Sequence, residues 1–169
     1  MEELKDQVCP FCNKKTLTLT ETEIEIPPFG NVFIFSLQCS SCNAKQSDIE
    51  LEKHQPTKQT IEIQTEKDLQ IKIAKSSTAT LKIPNFHLSL LPGPDSDGFI
   101  TNIEEILDKF YKIVESQRDT SEDNDERKKA KNLLKKIWKA KTSSLKFKII
   151  LEDQEGNSAI LSDKAEVKK

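Results

Sequence analysis

Four cysteines are the residues of this sequence whose type and spacing promise chemistry. They form two C-x-x-C pairs, Cys9 with Cys12 and Cys39 with Cys42, and 26 residues separate the pairs. A C-x-x-C turn points two sulfurs at one ion, and two such turns supply the four thiolates of a tetrahedral zinc site. Because cysteine fills all four positions, no coordination position remains for water. The spacing therefore predicts one structural Zn²⁺ per chain.

Two other uses of paired cysteines stay open at this point. Two disulfides would suit an exported protein, but the N-terminus lacks the basic start and apolar stretch of a secretory signal. A thioredoxin-like redox pair needs a C-x-x-C at a strand-to-helix junction, and neither pair has that context. Asn13 and Asn43 follow the two pairs. Asn tolerates left-handed backbone, so we expect tight metal-binding turns there.

The elements that must position the cysteines read as a β-hairpin. A first strand is indicated by apolar residues at Leu17, Leu19, Ile24 and Ile26, with a slip of phase around 20–23. A Pro-Pro-Phe-Gly-Asn turn at 27–31 leads to a second strand at 32–37. A hairpin carried between two metal-binding turns is a zinc ribbon, which we assign to residues 1–48.

Beyond residue 48 the pattern changes to many short alternating strands, which favours a β-sandwich or barrel over 49–169. The alternating apolar positions are Ile61 and Ile63; Leu69, Ile71 and Ile73; Leu81 and Ile83; Phe86, Leu88 and Leu90; and Leu145, Phe147, Ile149 and Leu151. The Pro- and Gly-rich residues 92–98 form a loop. The whole chain is therefore predicted to be mainly β.

A helical hairpin interrupts this β pattern at about 101–141. Thr101 and Glu104 have the spacing of a capping box, and the apolar residues after them recur at helical intervals. Residues 115–126 carry six acids and one base, and 127–141 carry eight bases and no acid. The apolar residues of the second helix are Ala130, Leu133, Leu134, Ile137 and Trp138. We expect this face, including Trp138, to pack against the first helix and the lysines to be solvated.

Composition excludes several classes of protein. The 169 residues, 19.2 kDa, suffice for one domain plus a small module. With 26 basic and 28 acidic side chains the net charge is −2, which argues against a strongly basic nucleic-acid binder. No apolar run is long enough to span a membrane, so we expect a cytoplasmic protein.

Catalytic motifs are missing from the sequence. It contains no G-x-S-x-G, no phosphate-binding Walker loop and no G-x-G-x-x-G. Its two histidines, His54 and His87, stand alone among polar or strand residues. We therefore expect neither an enzyme nor a small-molecule substrate.

Four stretches together resemble the ZPR-type zinc-finger family. The first is the ribbon from Cys9-Pro10-Phe11-Cys12 through Ile26-Pro27-Pro28-Phe29-Gly30 to Cys39-Ser40-Ser41-Cys42. The second comprises Asp68-Leu69, Lys75-Ser76-Ser77-Thr78-Ala79 and Ile83-Pro84. The third is Gly98-Phe99-Ile100-Thr101-Asn102-Ile103-Glu104, and the fourth is Asp153-Gln154-Glu155-Gly156-Asn157-Ser158. The resemblance spans nearly the whole chain, and its specificity rests on the last three stretches.

The resemblance implies a zinc ribbon joined to a double-stranded β-helix (jelly-roll-like) domain with an inserted helical hairpin. A single such module is similar to the archaeal form of the family. The resemblance also implies a role as a chaperone or adaptor that binds translation elongation factor 1-alpha. The positions that match the family's motifs, and so are candidate partner-binding residues, are Lys75, Ser76, Thr78, Gly98, Thr101, Glu104, Asp153, Gly156 and Asn157. The alternative is a nucleic-acid-binding zinc-ribbon protein of transcription or translation.

Overall fold

The N-terminal part of the chain is one antiparallel four-stranded sheet. The computed structural model describes residues 1–26, 30–52, 56–93 and 96–168. The four strands pair in chain order: β1 (Glu2–Val8), β2 (Lys15–Ile26), β3 (Gly30–Cys39) and β4 (Lys45–Leu51). Both strands of the predicted hairpin are present. Most of the predicted turn, including Phe29, lies outside the described residues, as does His54.

The slip of phase in β2 has a physical cause other than a bulge. The register with β3 is continuous, from Leu17 opposite Cys39 to Ile26 opposite Gly30. Leu17 and Leu19 therefore lie on one face of the sheet, where they pack around the cysteines. Ile24 and Ile26 lie on the opposite face and pack against the second domain. One long strand thus serves two cores, one on each of its faces.

Two further sheets build the second domain. The larger has the order β12-β5-β10-β7-β8 and contains β5 (Thr57–Ile63), β7 (Thr80–Ile83), β8 (Leu88–Leu90), β10 (Phe147–Asp153) and β12 (Glu166–Lys168). The smaller has the order β11-β6-β9 and contains β6 (Lys72–Lys75), β9 (Phe99–Asn102) and β11 (Ala159–Ile160). All pairings are antiparallel. The predicted mainly β architecture is confirmed.

Four apolar residues predicted to lie in strands lie elsewhere, so that part of the strand prediction is wrong. Leu69 belongs to a 3₁₀ helix at Glu66–Gln70, and Phe86 belongs to another at Pro84–Phe86. Ile71 lies between the first of these helices and β6, and Leu145 precedes β10. In the first 3₁₀ helix the buried carboxylate of Asp68 accepts the backbone N–H groups of Gln64 and Thr65 at 3.0 and 2.9 Å, which ends β5 and closes a turn.

The helical hairpin lies between β9 and β10 and consists of α1 (Ile103–Thr120) and α2 (Asn124–Lys141). The predicted capping box of Thr101 and Glu104 is wrong by one residue. The cap is Asn102, whose side chain accepts the backbone N–H of Glu105 at 2.8 Å. Thr101 is still in β9, and its hydroxyl donates to the Glu105 carboxylate. Because the strand runs directly into the helix, the strand pairing decides where the helix begins.

The main core draws on both sheets of the second domain and on one face of each helix. Helix α1 contributes Ile103, Ile106, Leu107, Phe110 and Val114, and α2 contributes Leu134, Ile137 and Ala140. The prediction that α1 covers Trp138 is wrong, because its side chain is 60% exposed. Successive helix positions are about 100° apart, so burying Ile137 turns Trp138 towards solvent. Across the described residues, no helix is long and apolar enough to cross a membrane.

Candidate metal centre and a buried polar junction

Two tight turns hold the four cysteines at one end of the first sheet. In the first turn the N–H of Asn13 donates to the carbonyl of Cys9 at 2.8 Å, and in the second that of Asn43 donates to Cys39 at 3.0 Å. Asn13 has φ 56° and Asn43 has φ 58°. The left-handed backbone expected at these two residues is confirmed. The same local sequence therefore builds both halves of the site.

The four thiols fit a tetrahedral zinc ion. All four Sγ atoms lie within 4.8 Å of one another. The distances Cys9 Sγ–Cys42 Sγ and Cys12 Sγ–Cys39 Sγ are both 3.7 Å. Four sulfurs at about 2.3 Å from a central zinc are about 3.8 Å apart, whereas a disulfide bond is about 2.05 Å long. The four cysteines are thus positioned to bind one zinc ion, which would fix the two turns to each other.

The surroundings of Cys39 and Cys42 shift the pKa values of these two thiols in opposite directions. The hydroxyl of Thr16 lies 3.2 Å from Cys39 Sγ, and this bond, with backbone N–H groups, lowers the pKa of Cys39 to about 6. The backbone at Ala44 acts to lower the pKa of Cys42, but the neighbouring thiol of Cys39 and burial outweigh it and raise that pKa to about 12. Zinc takes thiolates, so binding the ion releases protons.

A second group of polar side chains is buried where β6, β10 and β11 meet. We call Lys75, Ser76, Thr78, Asp153 and Ser158 the polar cluster. Asp153 Oδ2 accepts the hydroxyls of Ser76 at 2.9 Å and of Ser158 at 2.5 Å. The N–H of Ser76 donates to Ser158 Oγ at 2.8 Å. Except for exposed Thr78, every member is buried. A buried carboxylate is tolerated here because hydroxyl donors surround it.

The polar cluster continues into the contact between the two domains. Asp48 of β4 accepts the backbone N–H of Ser77 at 2.8 Å and also the Ser77 hydroxyl. The N–H of Gly98 donates to the carbonyl of Ser47 at 2.8 Å. A Cβ on Gly98 would lie 2.8 Å from both Asp48 Cα and Ile49 N. Only glycine therefore permits this approach of the two backbones.

The nine candidate partner-binding positions fall in three places. The polar cluster and the turn after β10 contain Lys75, Ser76, Thr78, Asp153, Gly156 and Asn157. Gly98 lies at the domain contact. Thr101 and Glu104 lie where β9 meets α1, and Glu104 accepts the side-chain amide of Gln70 at 2.9 Å.

Three partners of these positions were not predicted from the sequence. They are Asp48, which lies outside the quoted motifs, and Ser77 and Ser158, which lie within them but have no pattern of their own. The residue types of these three positions give no signal in the sequence, because the role of each depends on a contact with a residue far along the chain. Ser158 is 82 residues from Ser76, and Ser77 is 29 residues from Asp48.

Comparison with known proteins matches both parts of the chain to one family. The profile of the ZPR1 zinc-finger domain matches residues 2–54, and that of the ZPR1 jelly-roll domain matches residues 67–169. A ZPR1-like protein of Methanocaldococcus jannaschii is 34% identical over 98% of this chain and 85% of its own length. One of Pyrococcus horikoshii is 30% identical over all of this chain and 78% of its own length.

A eukaryotic relative shows how one module relates to a longer protein. The protein named zinc finger chaperone zpr1 in Schizosaccharomyces pombe is 31% identical over 86% of this chain, a match that covers 33% of its own length. The two domain matches occupy nearly all of the chain in the order that the fold shows. The chain therefore belongs to the ZPR1 family of zinc-finger proteins, and it matches its archaeal relatives over most of their length.

Proposed function

We propose that this chain is a protein-binding zinc module, not an enzyme, which binds translation elongation factor 1-alpha in the cytoplasm and assists its folding. Membership of the ZPR1 family and the chaperone name of the Schizosaccharomyces pombe relative support a protein partner. The identity of the factor comes from the family resemblance of the motifs. The zinc-bound turns and the polar junction would keep the two domains in one arrangement, so the partner would meet a preformed surface.

The observation that carries this proposal is an apolar face on the first sheet. Leu4, Leu19 and Leu37 lie side by side across β1, β2 and β3 and line a groove of about 320 Å³. Leu4 is 61% exposed. Contiguous exposed apolar surface marks protein-interaction sites. A partly folded client offers the matching apolar surface.

The nine motif positions divide under this proposal according to their exposure. Thr78, Thr101 and Glu104 are at least partly accessible and would contact the partner. Buried Ser76 and Asp153 would act by fixing the junction that sets the shape of the surface.

Binding to the purified elongation factor tests the proposal. The factor is offered in its GDP state, its GTP state and while it refolds from denaturant. We expect a complex in at least one state and about tenfold weaker binding by Leu4→Ser, because the mutation removes exposed apolar area from the proposed contact. Val167→Ser is the matched control, since Val167 is 54% exposed on the last strand of the other domain. The absence of a complex in all three conditions would refute the function.

One observation favours the alternative, a nucleic-acid-binding ribbon protein. Trp138 is exposed among Lys131, Lys135 and Lys139, and an aromatic ring beside lysines can stack on a base while the lysines meet phosphates. Such binding weakens steeply with salt, because it releases counterions. A fluorescence titration with single-stranded RNA at several salt concentrations distinguishes the two functions. We expect weak binding whose affinity changes little with salt. A steep fall of affinity with salt, together with loss of binding in Trp138→Ala, would favour the alternative.

A further inference from the structure

A groove of about 690 Å³ lies on the second domain, and its described lining residues include neither the four cysteines nor any residue that lines the apolar groove of the first sheet. Strand β8 and the residues after it form one wall, Phe99 of β9 lies at another, and α1 forms the third. The side chains that matter for its chemistry are Lys75, Leu91, Phe99, Lys109, Lys112 and Ile113. Neither the zinc site nor the apolar ribbon face uses any of them.

Positive charge dominates this groove. Lys75 is 1% exposed, and its ammonium donates to the carbonyl of Ser76 at 2.9 Å. An ammonium has three donors, and no carboxylate in the described part of the chain forms an ion pair with this one. Lys109 adds a second ammonium 4.1 Å from the centroid of the Phe99 ring, and Lys112 adds a third.

Burial makes the charge of Lys75 costly. Desolvation lowers the pKa of Lys75, and the nearby charge of Lys109 lowers it further, while Asp48 and Asp153 act in the opposite direction. An anion in the groove would therefore relieve both desolvation and repulsion between the two ammoniums. Asp97, the one carboxylate among the described lining residues, already accepts the backbone N–H of Ser47 at 3.1 Å.

The groove also exposes apolar side chains and a free strand edge. Leu91 is 64% exposed and Ile113 is 48% exposed, on opposite walls. Strand β8 is the last strand of its sheet and pairs only with β7 among the described strands. One row of its backbone N–H and C=O groups can therefore pair with an added strand. A phosphate ion would use the lysines but neither of these two features.

We infer that this groove binds an extended peptide segment in which an acidic side chain stands next to an apolar one. The backbone of the segment pairs with the edge of β8, its carboxylate meets the ammoniums of Lys75, Lys109 and Lys112, and its apolar side chain lies between Leu91 and Ile113. That the segment belongs to the client protein rests on the proposed function. That the groove binds peptides of this kind is independent of the proposed function.

Selection from a random peptide library displayed on phage tests the groove directly with the full zinc-loaded chain. We expect the selected sequences to share an acid beside an apolar residue and to bind about tenfold more weakly to Lys109→Glu/Lys112→Glu. Both lysines are exposed on α1, so the variant keeps its fold. Lys128→Glu/Lys129→Glu is the matched control, with the same change of charge on exposed positions of α2. Leu91→Ser/Ile113→Ser should weaken binding by a similar factor, and Lys75→Met tests the buried ammonium.

The outcomes separate this inference from the proposed function. No enriched peptide, enriched peptides without acids, or binding equal in the groove and control variants would overturn the inference. Binding of inorganic pyrophosphate in the groove without any selected peptide would also overturn it, in favour of a small-anion site. The elongation factor is tested in parallel: if it fails to bind the wild-type chain while groove-dependent peptides are selected, the proposed function fails and the groove stands.

Discussion

Replacing Gly98 by alanine should weaken the contact between the two domains and lower the stability of the protein. The backbone of Gly98 does not need glycine for its conformation, since its φ is outside the positive range, so the effect of a methyl group comes from contact alone. That methyl would lie 2.8 Å from Asp48 Cα and from Ile49 N, and real Cβ contacts are essentially never closer than 3.0 Å. Both atoms are backbone of β4, so the strand itself must move.

The cost follows from what that movement strains. Overpacking by one methyl group against rigid backbone costs about 1–3 kcal/mol. The shift also stretches the bond from Gly98 N to Ser47 O, now 2.8 Å, and the bond from Ser47 Oγ to Gly98 O, now 3.0 Å, each worth about 1 kcal/mol. We therefore expect Gly98→Ala to lower the free energy of unfolding by about 2–4 kcal/mol.

Urea denaturation measures that loss, and Gly93→Ala is the matched control. A Cβ on Gly93 meets nothing within 4 Å, so we expect a change within about 0.5 kcal/mol. The backbone N–H of residue 98 should also exchange with solvent faster in Gly98→Ala than in the wild-type chain. A loss below about 1 kcal/mol for Gly98→Ala, with unchanged exchange, would refute the close approach of the two domains as a source of stability.

Three further predictions concern the zinc, an acid-sensitive turn and the polar cluster. Elemental analysis should give about one zinc per chain, and a zinc-to-protein ratio near zero in freshly purified reduced protein would contradict the site. Removal of the zinc by a chelator should speed hydrogen exchange in β1–β4, while β5 and β10 stay protected. Burial acts to raise the pKa of Asp68, but the Lys164 ammonium at 2.6 Å and two backbone N–H groups lower it to about 2. Because this folded pKa lies below the unfolded value near 3.9, ionised Asp68 contributes about 2 kcal/mol of stability above pH 5, and this contribution is lost as pH falls from about 4 to 2. Urea titrations at a series of pH values should show that loss. In Asp68→Asn this pH dependence should be absent. Asp153→Ala removes the carboxylate that accepts the hydroxyls of Ser76 and Ser158 and should cost about 3 kcal/mol. Asp163→Ala, at an exposed position outside the polar cluster, should cost under about 0.5 kcal/mol, and equal losses in calorimetry would contradict the role of the cluster.

Features that depend on neighbours in sequence were predicted correctly. The two C-x-x-C pairs and the left-handed Asn13 and Asn43 are properties of a few consecutive residues, because a tight turn is fixed by its own backbone. The periodicities of the long strands and the helices were predicted for the same reason. The slip of phase in β2 was also visible, although only the structure shows that it places Leu19 and Ile24 in two different cores.

Features that depend on which distant segments meet were missed or misplaced. The cap of α1 is Asn102 and not the predicted Thr101, because the pairing of β9 with β6 extends to Asn102. Trp138 was predicted to be buried, and the sequence pattern includes it in the apolar face, but the side of α2 that meets the core is set by the packing of the whole hairpin.

The sequence by itself determined the metal ligands, the mainly β class and the position of the helical hairpin, because spacing and periodicity are local. Tertiary structure alone decided the role of the motif residues in the second domain. Ser76 and Asp153 are far apart in sequence and meet only when β6 and β10 are brought together, and Gly98 needs to be glycine only because β4 lies against it. Burial and close approach are relations between segments, and they arise when the two domains pack.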